Sequence, residues 1–294
     1  MPLTMETDHP AERTTHFISL GAGVQSTVLY LLACAGEIAP LPRAAIFADT
    51  RWEPTAVYEH LAWLEGLRLD VPIVRVSAGD LYANTWDALR LNRQDNNPFT
   101  EIPTFTKREG KDRMGLRPRQ CTTDYKIKPI LRKISELIGR PPKARTPYAC
   151  QWLGITPDEW HRAKDARQSW LENRHPLLAM GMSRRDCLDY FQAQHPGRPL
   201  QKSSCIGCPY HSDLQWLELA RADPDGMART VALDERLREP ERQALERKGL
   251  PQYLHSSGKP LRAVLADLDA KDRAQLPLFS TDGFCNECEG HCGL

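Results

Sequence analysis

Residues 16–33, HFISLGAGVQSTVLYLLA, constrain this chain more than any other stretch. An apolar run ends at Ser19, Gly21 and Gly23 follow, and helix-forming residues take over at once. The same alternation continues downstream. "AAIFADT" at 44–50 reads as a second, buried strand, and "TAVYEHLAWLEGL" at 55–67 as a helix with Val57, Leu61 and Leu64 on one face. "VPIVRVSA" at 71–78 reads as a third strand and "YACQWLGI" at 148–155 as a fourth. Alternating strands and helices predict an α/β fold, a doubly wound and mostly parallel sheet with helices on both faces. Ligands of such sheets sit outside the carboxyl ends of the strands.

The glycines at the mouth of the first helix raise the question of an anion. Glycine permits close backbone approach, and the first helical turn offers unpaired N–H groups and a partial positive charge. The Ser26 and Thr27 hydroxyls add donors. A tight strand–helix turn without a ligand accounts for the glycines equally well. No Gly-Lys-Ser/Thr follows, so this is no Walker A loop.

With 294 residues, 41% of them apolar, the chain can build one large domain or one domain with an appendage. A net charge of +1 argues against a nucleic-acid grip by the whole surface, but leaves room for a local basic patch. No signal peptide and no apolar run of membrane-spanning length is apparent, so a cytoplasmic protein without a membrane partner is expected. Residues 1–13 read as a loose tail, 14–211 as the catalytic domain, 212–280 as a helical appendage and 281–294 as a cysteine-rich tail. Residues 91–125 interrupt the pattern with a polar stretch rich in Arg and Lys. A helix follows, carrying Ile127, Ile130, Ile134, Leu137 and Ile138. Ser183 with Asp186, and Ser212 with Gln215, read as capping boxes.

Nine cysteines in a chain expected in the cytoplasm are poor material for disulfides. "SSCIGCPYHS" at 203–212 and "FCNECEGHCGL" at 284–294 have the spacing of metal or redox sites. Cys34, Cys150 and Cys187 fall in apolar periodic segments and read as core thiols. His60 and His161 read as solvent-facing helix residues, and His211 as a neighbour of the cysteine pair.

"SLGAGVQST", followed by a strand ending in "FADT" and by Trp52-Glu53-Pro54, resembles the PP-loop superfamily of adenine-nucleotide α-hydrolases. That superfamily includes the ATP pyrophosphatases and the phosphoadenosine phosphosulfate (PAPS) reductases. The resemblance implies a Rossmann-like sheet and an adenine nucleotide, ATP or a sulfonucleotide. By position it implies that Ser19, Gly21, Gly23, Gln25, Ser26, Thr27, Asp49 and Thr50 bind that nucleotide. ATP pyrophosphatases usually carry Asp before the final Ser, where this chain has Gln25, which leans toward the reductase branch.

Further segments are similar to the sulfonucleotide reductases. "RPRQCTTDYKIKPI" at 117–130 resembles their cysteine followed by Lys-x-x-Pro, and Cys205-Ile-Gly-Cys208 resembles their distant pair. Gln120 stands where the cluster-bearing reductases have a first cysteine. The resemblance thus implies three metal ligands, Cys121, Cys205 and Cys208, for a [4Fe–4S] cluster, with zinc as the alternative. Some PP-loop enzymes that thiolate transfer RNA hold such a three-cysteine cluster. Gly154, Asp158, Glu159 and Arg162 in "LGITPDEWHR" match a further nucleotide-binding segment, with Thr156-Pro157 where the reductases usually have a basic residue. Arg113, Arg117, Arg119, Lys126 and Lys128 bracket Cys121. Arg117, Arg119 and Lys128 are expected to hold a substrate anion, and Lys126 to serve catalysis. The tail cysteines Cys288 and Cys292 are expected as attacking and resolving thiols, by loose analogy with the reductases' mobile C-terminal cysteine.

The expected function is a PAPS-reductase-family enzyme performing thiol- or iron–sulfur-assisted sulfur chemistry, served by a thiol or electron-donor protein. ATP-dependent, adenylating sulfur transfer to RNA, DNA or a small molecule is the alternative, with nucleic acid as its partner. A non-catalytic nucleotide-binding iron–sulfur subunit is the third.

Overall fold

The computed structural model describes residues 14–90, 102–107, 114–139, 147–200, 202–239 and 250–274. Contacts divide the chain into two units. The first contains 14–48, 59–76 and the described residues of 128–203; the second contains 49–58, the described residues of 77–127 and those beyond 203.

The first unit is an α/β fold. Its sheet has five strands: β1 (Thr15–Ser19), β2 (Ala44–Ala48), β3 (Ile73–Val76), β6 (Ala149–Trp152) and β7 (Leu171–Arg174). They run in the order β3-β2-β1-β6-β7, and every pairing is parallel. β2, sequence AAIFA, is buried at every position, which is why it reads as an unbroken apolar run rather than an alternation. Helices α1 (Val24–Cys34), α4 (Lys128–Leu137), α5 (Pro176–Ala179) and α6 (Arg184–Gln194) belong to this unit. α4 lays Ile130 and Ile134 against Phe17, Ile46 and Ala149 of the sheet. Chain direction through the sheet reverses beside β1: β2 and β3 extend it one way, β6 and β7 the other. The carboxyl ends of β1 and β6 therefore form the topological switch point, where open parallel sheets leave a crevice.

The second unit is built from the polar interruption and the C-terminal helices together. α3 (Leu81–Arg90), α7 (Asp213–Ala222), α8 (Pro224–Arg236) and α9 (Leu261–Ala274) accompany a small antiparallel sheet in the order β5 (Met114–Leu116), β4 (Phe105–Lys107), β8 (Gln252–Tyr253). A π-helical turn, Thr122–Ile127, follows Cys121. Its core joins Trp52, Leu81, Ile102 and Tyr125 to Trp216, Leu233, Leu254 and Leu261. Helices after 212 thus share one core with residues before 126, and the contact grouping differs from a break at 212. Amphipathic helices bury their apolar faces against whatever apolar surface is near in space, not in sequence. Helix α2 (Thr55–Gly66) begins in this unit and ends in the first.

Both expected capping boxes are present: the Ser183 hydroxyl accepts from Asp186 N–H and the Ser212 hydroxyl from Gln215 N–H. α3 and β7 carry no strong sequence signal. β7, Leu-Glu-Asn-Arg, is an edge strand with one buried residue. Among the described residues, no helix is long and apolar enough to cross a membrane.

Candidate functional site

The glycine loop lies at the carboxyl end of β1, in the first unit. Ala22 adopts φ 56°, a left-handed conformation uncommon outside glycine. The Ser26 hydroxyl ties the turn together, accepting from Gly21 N–H at 3.1 Å and Gly23 N–H at 3.2 Å and donating to the Gly23 carbonyl at 3.3 Å. Gly154, just beyond β6, approaches this turn closely: a Cβ there would stand 2.9 Å from the Ser26 nitrogen. Thr156 is fully buried, and its hydroxyl finds no hydrogen-bond partner among the described residues.

Around this loop the expected nucleotide residues take distinct places. Ser19 closes β1. Gln25 accepts a hydrogen bond through Oε1 from Arg184 Nη1 at 3.2 Å. Asp158, at the start of a short 3₁₀ helix (Pro157–Arg162), accepts from the Arg184 backbone N–H at 2.6 Å. Glu159 is buried and pairs with Arg162 at 2.6 Å. Arg184 carries no sequence signal, since it stands thirty residues beyond Gly154 within an ordinary capped helix start. Thr27 differs from expectation: it is fully buried, and its hydroxyl lies 2.9 Å from His60 Nε2. His60 corrects the solvent-facing reading. It is buried against Trp63 and Phe191, and burial, with Arg198 nearby, lowers its pKa to about 4. His161 is exposed, as expected.

Asp49 and Thr50 fall in the second unit. Asp49 accepts from Arg51 N–H at 2.7 Å and from the Tyr58 hydroxyl at 2.9 Å. Thr50 is buried; its hydroxyl lies 3.1 Å from Glu53 Oε1 and 3.3 Å from Cys205 Sγ.

Here the cysteines meet. Cys121, Cys205 and Cys208, with Cys121 far from the other two in sequence, line one cavity, partly open to solvent, together with Arg119 and Lys126. The chain turn that presents the cysteine pair is tight: Cys208 N–H donates to Cys205 O at 3.0 Å, and Ile206 N–H to Trp52 O at 3.0 Å. Gly207 is required there, because a Cβ would fall 2.2 Å from the Trp52 ring. His211 contacts the cysteine turn through Nε2, 3.0 Å from the Cys205 carbonyl. Glu53, almost wholly buried, holds Lys126 Nζ at 3.2 Å and lies 3.5 Å from Cys205 Sγ. Its Oε2 is buried without a hydrogen-bond partner among the described residues. Burial, and then the Glu53 carboxylate, push the Cys205 thiol well above the usual thiol range, while Lys126 and Thr50 act the other way.

Of the remaining expected residues, Arg117 is tied through its backbone N–H to Thr104 O, and Arg119 lies over the Tyr210 ring at 5.7 Å. Lys128 starts α4, exposed, in the first unit and not at the cavity. Cys150 and Cys187 are fully buried and Cys34 partly so. Arg113, Cys285, Cys288 and Cys292 lie outside the described residues. Among the described residues, no three His, Cys, Asp or Glu side chains gather so as to hold a single metal ion. Comparison with protein-family models, curated proteins and solved structures returned no match.

Proposed function

We propose that this chain is an adenine-nucleotide-binding enzyme of sulfur chemistry, like the sulfonucleotide reductases its motifs resemble. The supporting observation is the cavity onto which Cys121, Cys205 and Cys208 converge with Arg119 and Lys126. The three thiols are soft donors, suited to a thiophilic centre rather than a hard cation. A [4Fe–4S] cluster takes one thiolate per iron, so its ligands need not crowd one point. Cys121, Cys205 and Cys208 would hold it, and when bound it supplies soft iron sites and single electrons. Lys126 and Arg119 bring positive charge to the same cavity for an anionic sulfur group. The glycine loop of the first unit, at the switch point of its sheet, would cradle the nucleotide's phosphate or sulfate through backbone N–H groups.

ATP-dependent sulfur transfer is the second reading. It is favoured by Gln120, exposed beside Cys121 at the position where the cluster-bearing reductases have a further cysteine, which leaves three cysteines at the cavity among the described residues.

Anaerobic purification, followed by iron and sulfide analysis and titration with ATP, adenosine phosphosulfate and PAPS, tests both. A brown protein that loses its colour on Cys205→Ser and releases sulfite from a sulfonucleotide is expected. Pyrophosphate release from ATP would select the second reading. Colourless protein that binds no nucleotide would overturn both.

A further inference from the structure

We infer that Ser257, His255 and Asp213 form a reactive centre of their own: Ser257 is a nucleophile toward activated acyl esters, His255 is its general base, and Asp213 positions His255. All three belong to the second unit, and none of them lines the cysteine cavity.

One buried carboxylate pins both ends of the segment that carries the serine. Asp234 Oδ1 accepts from Leu254 N–H at 2.9 Å, and its Oδ2 accepts from Leu261 N–H at 2.8 Å. Between these points His255 to Gly258 make a tight turn, in which Gly258 N–H donates to the His255 carbonyl at 3.0 Å. Gly258 has φ 65°, in the left-handed region that favours glycine. The turn leaves Ser257 exposed and buries the His255 imidazole beneath it.

Hydrogen bonds fix the state of that imidazole. Ser257 N–H donates to His255 Nδ1 at 3.2 Å, so Nδ1 carries no proton. In the neutral ring the proton is on Nε2, which lies 3.0 Å from Oδ1 of Asp213, the first residue of α7. The Ser257 hydroxyl lies 2.8 Å from the bare Nδ1 and can donate to it. A hydroxyl against one imidazole nitrogen and a carboxylate on the other is the arrangement that activates a serine. The Asp213 side chain is 65% exposed, so water weakens its hold and it contributes less than His255 does.

Ser257 Oγ adds to the acyl carbon of the ester while its proton passes to His255 Nδ1. The ester C–O bond then breaks, and that proton leaves with the alcohol. Water, giving its proton to the same nitrogen, cleaves the acyl-serine, releases the acid and restores the hydroxyl. The N–H groups of Ser257 and Gly258 are both committed within the turn, so neither is aimed at a developing oxyanion. The centre therefore suits esters whose leaving group is already good, not peptide amides.

The purified full chain, treated with a fluorophosphonate that labels activated serines and assayed for hydrolysis of p-nitrophenyl acetate, tests this. Peptide mapping should place the label on Ser257, and wild type should turn the ester over repeatedly. Ser257→Ala removes one exposed oxygen; it should melt like wild type, take no label and lose the turnover. His255→Gln should slow both reactions by about 10²-fold or more. Asp213→Asn should slow them less, and Asp213→Glu should regain part of that loss with the melting temperature unchanged. An unlabelled Ser257, ester turnover that survives in Ser257→Ala, or a folded His255→Gln that reacts as fast as wild type overturns the assignment. If His255→Gln does not fold, the comparison of Ser257→Ala with wild type decides alone.

Discussion

Lys126 Nζ lies 3.2 Å from Oε1 of Glu53, joining a side chain that lines the cysteine cavity to a carboxylate that is almost wholly buried. The two residues are 73 positions apart in the chain. Removing one partner of a buried ion pair leaves the other's charge uncompensated, which costs about 3–5 kcal/mol where both are fully buried. Lys126 is 26% exposed, so water softens the loss. Glu53→Ala should destabilise the chain by about 2 kcal/mol in chemical unfolding, and Lys126→Met, which strands the buried carboxylate, by more. Equal stability of both variants and wild type would show the pair to be energetically idle.

His60 makes acid stability diagnostic. Burial lowers its pKa from 6.5 to about 4, so the folded chain holds the imidazole neutral where the unfolded chain would already protonate it. The stability this represents is complete above pH 6.5 and is lost as pH falls toward 4, reaching about 3 kcal/mol at pH 4. In His60→Gln that part of the acid loss should vanish, leaving a flatter stability curve between pH 7 and pH 4 than wild type. Parallel curves for the two proteins would contradict the buried, neutral assignment.

Gly154 tests the close approach of the segment after β6 to the glycine loop. A Cβ at 154 would meet the Ser26 nitrogen at 2.9 Å and the Gln25 carbonyl carbon at 3.0 Å, both backbone atoms that cannot step aside. Overpacking of this kind costs about 1–3 kcal/mol. Gly154→Ala should lower the melting temperature and weaken nucleotide binding together. Gly21→Ala, whose Cβ would meet nothing nearer than 3.6 Å, should be milder in both measurements.

Much of the first unit is legible in the chain itself. β1, β2, β3 and β6 are short apolar runs joined to amphipathic or apolar helices, and that alternation admits few arrangements other than a parallel sheet. The two capping boxes are equally local, because a hydroxyl and a carboxylate or amide three residues apart bond to each other's backbone N–H whatever lies around them. The second unit is harder to read. β4 and β5 have three residues each and β8 two, too short for any periodicity to show. Their partners lie across sequence gaps as wide as that between Thr106 and Gln252.

The sequence by itself determined the parallel α/β class, the glycine turn after β1 and the residue types able to bind anions and soft metals. Covalent neighbours decide these, since backbone preference and side-chain chemistry act over a few residues. Only the tertiary structure decided which of those residues act together. It set Thr50 against Cys205 and Glu53, turned Thr27 inward onto His60, and brought Arg184 to Gln25 from the start of α6. Each is a contact across more than thirty residues of chain or, for Thr50 with Glu53, a buried pair shaped by the long-range packing around it. Burial and long-range packing choose such partners by position in space, and no local pattern in the chain encodes it.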